Sequence, residues 1–293
     1  MSVDTLITPT PPVLGTGTRL GPVHLTVTDL DRSVAFYETS IGLRLRERTQ
    51  TSAALGAGGE DILVLTEQPS ARRAGHHSGL YHVAILHPSR LELARAVLRL
   101  AATRTTIDGA SDHGISEAIY LPDPDGNGLE LAADRPRDQW PDMRSAPASA
   151  MIQPLDLNSL VSLAAGEDVT PYVDPATIVG HVHLYVGDIE AGTSFYRDLL
   201  GFEVQMALPG AMFVSAGGYH HHVGFNTWRG NGIAPQPPGV VGFGYWTLVV
   251  ATREELLSTE ARLWAGGVET REHEDGVMVR DPAGIAVLIR AEH

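Results

Sequence analysis

Two stretches decide the fold: Gly21-Pro22-Val23-His24-Leu25-Thr26-Val27-Thr28-Asp29-Leu30 and Gly180-His181-Val182-His183-Leu184-Tyr185-Val186-Gly187-Asp188-Ile189. Both place alternating apolar residues before a helical pattern, as in a strand running into a helix. The helical segments that follow share landmarks: Phe36-Tyr37 matches Phe195-Tyr196, and Gly42-Leu43 matches Gly201-Phe202. Further on, the turn sequence Asp123-Pro124-Asp125-Gly126 matches Asp281-Pro282-Ala283-Gly284. The chain is therefore an internal repeat. A fresh strand at Leu80–Leu86, a helix from Leu91 to about Ala102 and a strand at Gly128–Ala132 subdivide the first copy. The reading is βαβββ twice per half, four modules in all, in an α+β fold. The expected boundaries are a poorly ordered N-terminal tail over 1–18, a first domain over 19–134, a Pro-rich linker over 135–177 and a second domain over 178–293. One short helix is expected in the linker, near Leu157–Ala165.

Composition limits the function. The 293 residues carry 21 Lys+Arg against 35 Asp+Glu, a net charge of −14, which argues against a nucleic-acid surface. No apolar run reaches the roughly 20 residues of a bilayer span, and the first 18 residues do not read as a signal peptide. The expected location is the cytoplasm, with no membrane or nucleic-acid partner. Cysteine is absent, so a metal site has only His, Asp and Glu to draw on. No Walker or dinucleotide-type Gly-rich loop and no G-x-S-x-G elbow is present. Trp140, Trp228, Trp246 and Trp264 are too scattered for a stacking platform.

Of the 13 histidines, those on strands matter most. Strand alternation puts His24 opposite Val23, Leu25 and Val27, and His82 opposite Tyr81, Val83 and Ile85. It likewise puts Glu130 opposite Leu129 and Leu131. Each of the three sits beside a small residue on its own face. Two imidazoles and one carboxylate form the set that suits non-haem Fe(II), with sites left for substrate and oxygen. A single strand histidine is more often a satisfied core or surface residue; three matched positions, one of them a carboxylate that is costly to bury alone, shift the balance towards a ligand set. His220 and His222 read as one face of a strand and, with His183, leave two readings open: a second metal site or a polar lining, the lining being favoured. His76, His77, His87, His181, His273 and His293 show no usable pattern.

The segment from His113 through Ile119-Tyr120 and Asp123-Pro124-Asp125-Gly126 to Glu130 resembles the signature of extradiol ring-cleaving dioxygenases. Ser111, two residues before the His, departs from the pattern. The resemblance spans both halves and identifies a two-domain vicinal oxygen chelate protein, similar to the bacterial catechol 2,3-dioxygenase subgroup. It implies open mixed-sheet barrels, metal ligands His24, His82 and Glu130, an acid/base role for His113 and an oxyanion-stabilising hydrogen bond from Tyr120. It also implies Fe(II), with Mn(II) accepted by the same ligands, a small aromatic diol and O2 as substrates, and a homo-oligomer as a common state. His24 and His82 are each expected to donate their second N–H to a neighbouring group. In the second half His183 is kept, but Tyr245 and Leu288 replace the other two ligands, so the active centre is expected in the first half. Two rivals share the fold. A glyoxalase- or isomerase-type lyase would need a further carboxylate where Asp61-Ile62-Leu63-Val64-Leu65 is apolar, and a non-catalytic ligand-binding resistance protein would need no such set.

Overall fold

The computed structural model describes residues 13–73, 75–141 and 152–292. The first module comprises β1 (Arg19–Val27), α1 (Leu30–Phe36, continued by a wider helical turn to Ile41), β2 (Arg44–Arg48), β3 (Ser52–Gly56) and β4 (Asp61–Glu67). The second comprises β5 (Gly79–His87), α2 (Arg90–Ala102), β6 (Gly109–Asp112), β7 (Ser116–Pro122) and β8 (Gly128–Asp134). A connector with the two-residue strand β9 (Gln153–Pro154) and α3 (Leu157–Ser162) leads to the second half. There, β10 (Ile178–Tyr185), α4 (Ile189–Thr193, continued to Leu200), β11 (Glu203–Leu208), β12 (Ala211–Ser215) and β13 (Val223–Asn226) form the third module. The fourth is β14 (Gly242–Val250), α5 (Arg253–Ala265), β15 (Arg271–His273), β16 (Gly276–Arg280) and β17 (Ala286–Ala291). The βαβββ reading thus describes all four modules.

The helices start where the sequence supplies caps. Asp29, Ser89, Asp188 and Thr252 each accept a backbone N–H of the first turn with their side chains. Gly42 and Gly201 end the helical segments of the first and third modules in the left-handed conformation.

The sheets do not follow the repeats. One has eight strands in the order β15-β16-β17-β14-β1-β4-β3-β2; the other has nine, in the order β11-β12-β13-β10-β5-β8-β7-β6-β9. The first module therefore joins the fourth, and the second joins the third. The seams are the antiparallel pairs β1–β14 and β5–β10. Within each module the first strand lies parallel to the last, as in β5–β8 and β10–β13. Apolar side chains such as Val23, Leu25 and Val27 point to the core, and the alternate residues face the concave side.

The repeated landmarks hold each half together across the two sheets. The fully buried Tyr37 donates its hydroxyl hydrogen to Asp123 Oδ2 at 3.0 Å, and Tyr196 donates to Asp281 Oδ2 at 2.8 Å. Asp123 also accepts from the backbone N–H groups of Asp125 and Asn127 and from Asn127 Nδ2, each at 2.8 Å. The turn is finished by two glycines. Gly126 has φ +90°, and a Cβ on Gly128 would stand 1.9 Å from the Tyr81 carbonyl oxygen, so only glycine lets β8 approach β5 this closely. The connector is pinned by buried Arg99, which donates to the carbonyls of Ile41 and Thr170. Residues 13–18, expected as loose tail, are seated on the second half: Leu14 is buried and donates its N–H to the Gly201 carbonyl. Residues 1–12 lie outside the described segments. No helix among the described residues is long and apolar enough to cross a membrane.

Asp123 satisfies the buried Tyr37 hydroxyl and the turn at once. Asp123→Ala is expected to cost about 3 kcal/mol, and Tyr37→Phe about 1 kcal/mol, in urea unfolding.

Candidate metal centre and cavity

The centre lies on the concave face of the nine-stranded sheet. His82 on β5 faces His183 across the seam, and His181 on β10 faces Ala84. On the other side of β5, Ala84 is in register with Glu130 of β8. His181, Ala84 and Glu130 thus form one row across three strands. The small Ala84 leaves a gap between the two larger side chains, and His82 closes the gap from two residues away on the same face of β5.

Three ligand atoms meet there. Glu130 Oε2 is 3.0 Å from His82 Nε2 and 3.2 Å from His181 Nε2, and the two imidazole nitrogens are 3.4 Å apart. All three side chains are buried. Adjacent octahedral ligands at ~2.1 Å from an ion stand about 3.0 Å apart, so the triangle is of the size that one divalent ion spans. This is the one group of three or more potential ligands that converges among the described residues. The electrostatics agree with a ligand set. Burial opposes ionisation of Glu130, but the His181 and His82 rings beside it more than offset this and hold the carboxyl well below its usual range. Burial pushes the His82 imidazole down, against the pull of Glu130, which favours the neutral ring that a metal requires.

His24 does not join His82 and Glu130. It lies on β1 in the other sheet, opposite Tyr245 of β14, with the two rings stacked at a centroid separation of 3.8 Å. The third corner of the triangle is instead His181, from the second half. The reason is topological: the ligands meet across the seam between the second and third modules, not within one half. In the eight-stranded sheet, the matching strand register puts Pro22, Tyr245 and Leu288 where the centre has His181, His82 and Glu130. That second concave face carries no converging ligand set among the described residues. The signal available in the sequence was the i, i+2 spacing of His181 and His183, which puts both on one strand face. His82 Nδ1 has no hydrogen-bond partner among the described residues, so the expected outer partner for that ring is not found there.

The other expected residues surround the same cavity, of about 280 Å³. His113 is in the β6–β7 turn, where Gly114 takes a positive φ of 73°. Its Nε2 is 2.7 Å from the Tyr120 hydroxyl. Tyr120 is directly across β7–β8 from Glu130. Burial, reinforced by Glu130, pushes the Tyr120 phenol well above its ordinary range, so it stays protonated. Tyr81, Phe213 and Trp228 supply aromatic wall, and Met206 and Leu208 an apolar one. His183 is occupied otherwise: its Nε2 accepts from Asn226 Nδ2 at 3.0 Å, an amide oriented by the Trp228 N–H on its Oδ1. His222 accepts the Ala216 N–H, and His220 contacts Asp134. The residues 220–222 form a turn between β12 and β13, not a strand face, and with His183 they make no second ligand cluster. His221, which strand alternation would set opposite His220 and His222, lines the cavity with its ring 4.0 Å from that of His181.

Comparisons with known proteins bear on the family and the fold. A model of the Glyoxalase/Bleomycin resistance protein/Dioxygenase superfamily matches residues 19–131 and 178–289. A catechol-2,3-dioxygenase of Bacillus subtilis (strain 168) is 41% identical over 276 residues, covering 92% of this chain and 96% of that protein. Among solved structures, glyoxalase I from Zea mays superposes with a TM-score of 0.58 at 17% identity, over 93% of this chain and 92% of that one. The cppA protein from Streptococcus pneumoniae TIGR4 does so with a TM-score of 0.54 at 11% identity, over 97% and 99%. These two share the fold.

Two outcomes separate His181 from His24. Metal analysis after anaerobic loading should show His181→Ala losing its bound divalent ion and His24→Ala keeping it. His24 instead makes stability depend on pH: burial, with His273 adding to it and Asp275 opposing, pushes its imidazole down to about 4 from 6.5. The unfolded chain therefore takes up a proton at a higher pH than the folded one. Stability contributed by neutral His24 is complete above about pH 6.5 and is lost as pH falls towards 4, about 3 kcal/mol in all. His24→Phe should show a shallower loss of unfolding free energy over that window.

Proposed function

The chain belongs to the Glyoxalase/Bleomycin resistance protein/Dioxygenase superfamily, and from that premise we propose that it is an Fe(II)-dependent extradiol dioxygenase acting on a catechol-type diol with O2. The observation that carries the proposal is the His82–Glu130–His181 triangle at the base of an aromatic-walled cavity that also holds the His113–Tyr120 pair. The name of the 41% identical relative supports the same reaction. A lyase-type site with a second carboxylate is not favoured, because no further Asp or Glu joins the cluster among the described residues.

Two imidazoles and one carboxylate leave half of an octahedron free, which fits a bidentate diol and a third small ligand. A divalent ion bound there supplies Lewis acidity that eases loss of a hydroxyl proton, and iron adds a path for electrons between diol and oxygen; Mn(II) accepts the same ligands.

The protein's own part follows from position. The Tyr120 O–H is kept protonated and stands beside Glu130, so it donates a hydrogen bond to negative charge growing on a substrate oxygen. His113 Nε2, 2.7 Å from that hydroxyl, replaces any proton that Tyr120 passes to the substrate oxygen, so the phenol is not left ionised. Tyr81, Phe213 and Trp228 present ring faces and edges to a flat aromatic guest and keep water from it. Beside Phe213, the His221 imidazole gives the cavity a second proton-handling group.

Anaerobic iron loading followed by catechol and O2 should give oxygen uptake and a yellow ring-opened product. Tyr120→Phe and His113→Ala should each lower kcat by about 10²-fold while iron content stays at the wild-type level. Full iron content with no oxygen uptake on any catechol would overturn the assignment.

A further inference from the structure

One chain of contacts in this cavity is not used by the ligand triangle or by the His113–Tyr120 pair. Asp134, the last residue of β8, lies 2.9 Å from His220 Nε2. His220 Nδ1 lies 2.8 Å from His221 Nδ1. The chain runs from the edge of β8 through the β12–β13 turn to the cavity wall, where His221 packs against His181 and Phe213. We infer that Asp134 and His220 are positioning residues that fix His221 as its Nδ1–H tautomer and so present its Nε2 to the cavity as a proton acceptor.

The inference follows from counting protons. A carboxylate only accepts, so the Asp134 contact requires a hydrogen on His220 Nε2. His220 is 1% exposed and packed against the rings of Trp140 and Tyr219. A ring so buried carries one proton in preference to two. Its Nδ1 is then bare and must accept. The hydrogen between the two Nδ1 atoms is therefore His221's own. With its single proton held there, His221 keeps a lone pair on Nε2, which has no hydrogen-bond partner among the described residues. The ring's tautomer is thus set more than one residue away, as an orienting carboxylate sets a histidine base.

The role in turnover rests on the dioxygenase reading, but the tautomer does not, and it can be read without metal or substrate. Chelator-treated protein carrying ¹⁵N-histidine is examined by long-range ¹H–¹⁵N NMR, with the His221 signals assigned by their loss in His221→Gln. The expected spectrum shows a protonated Nδ1 and a bare Nε2 on His221. In Asp134→Ala, His220 is released to place its proton on Nδ1, and about half of the His221 rings should move to the Nε2–H form. Asp134→Asn, whose amide oxygen still accepts, should restore the wild-type signature. In iron-loaded enzyme Asp134→Ala should lower kcat about tenfold or more, with KM little changed. A bare Nδ1 on wild-type His221 overturns the proposal, as does an unmoved tautomer in folded Asp134→Ala. The wild-type spectrum decides by itself if that variant fails to fold. Failure of ring cleavage in wild type would count against the dioxygenase and leave the tautomer result standing.

Discussion

The antiparallel register of β5 against β10 is the constraint on which the centre depends. Backbone hydrogen bonds put His183 opposite His82 and His181 opposite Ala84, while the parallel β5–β8 ladder puts Glu130 opposite the same Ala84. Side chains alternate with a period of two, so a one-residue slip of either ladder would turn a ligand to the far face. Gly128 protects the second ladder, because any side chain there would strike the Tyr81 carbonyl. Asp123 fixes where β8 begins through four accepted hydrogen bonds. The turn sequence is thus tied to the depth of Glu130 by a continuous set of contacts.

Much of this is legible in the residues. The repeat, the four βαβββ modules, and the placing of His82 and Glu130 on concave faces follow from alternation and turn chemistry. The Phe-Tyr and Asp-Pro-x-Gly landmarks, recognised only as matched positions, turn out to touch one another: Tyr37 with Asp123, and Tyr196 with Asp281. What alternation cannot supply is the choice of partner. It says that His24 faces a concave side, but not whose. Matching the repeats showed which residues correspond, and His24 corresponds to His183; pairing across the seams depends on tertiary contacts between distant strands, which leave no local mark. His181 stands where the first half has Pro22, so a search for equivalent histidines passes over it.

The two concave faces show how little backbone change separates a ligand site from a plain one. Both are built from the first strands of two modules in antiparallel contact, flanked by parallel last strands. One seats His181, His82 and Glu130; the other seats Pro22, Tyr245 and Leu288. In the first, a buried carboxylate is costly by itself and is offset by two imidazoles within 3.2 Å. In the second, an aromatic stack of His24 on Tyr245 fills part of the same position, and Leu288 stands where the first has its carboxylate.

The division of the ligands between the halves has a structural consequence. His82 and Glu130 precede the connector and His181 follows it. An ion gripped by all three would be a rivet through the β5–β10 seam, fastening one copy of the duplicated unit to the other. Neither copy holds the full triad, so the duplication is not two spare enzymes in tandem but one pocket assembled from complementary parts.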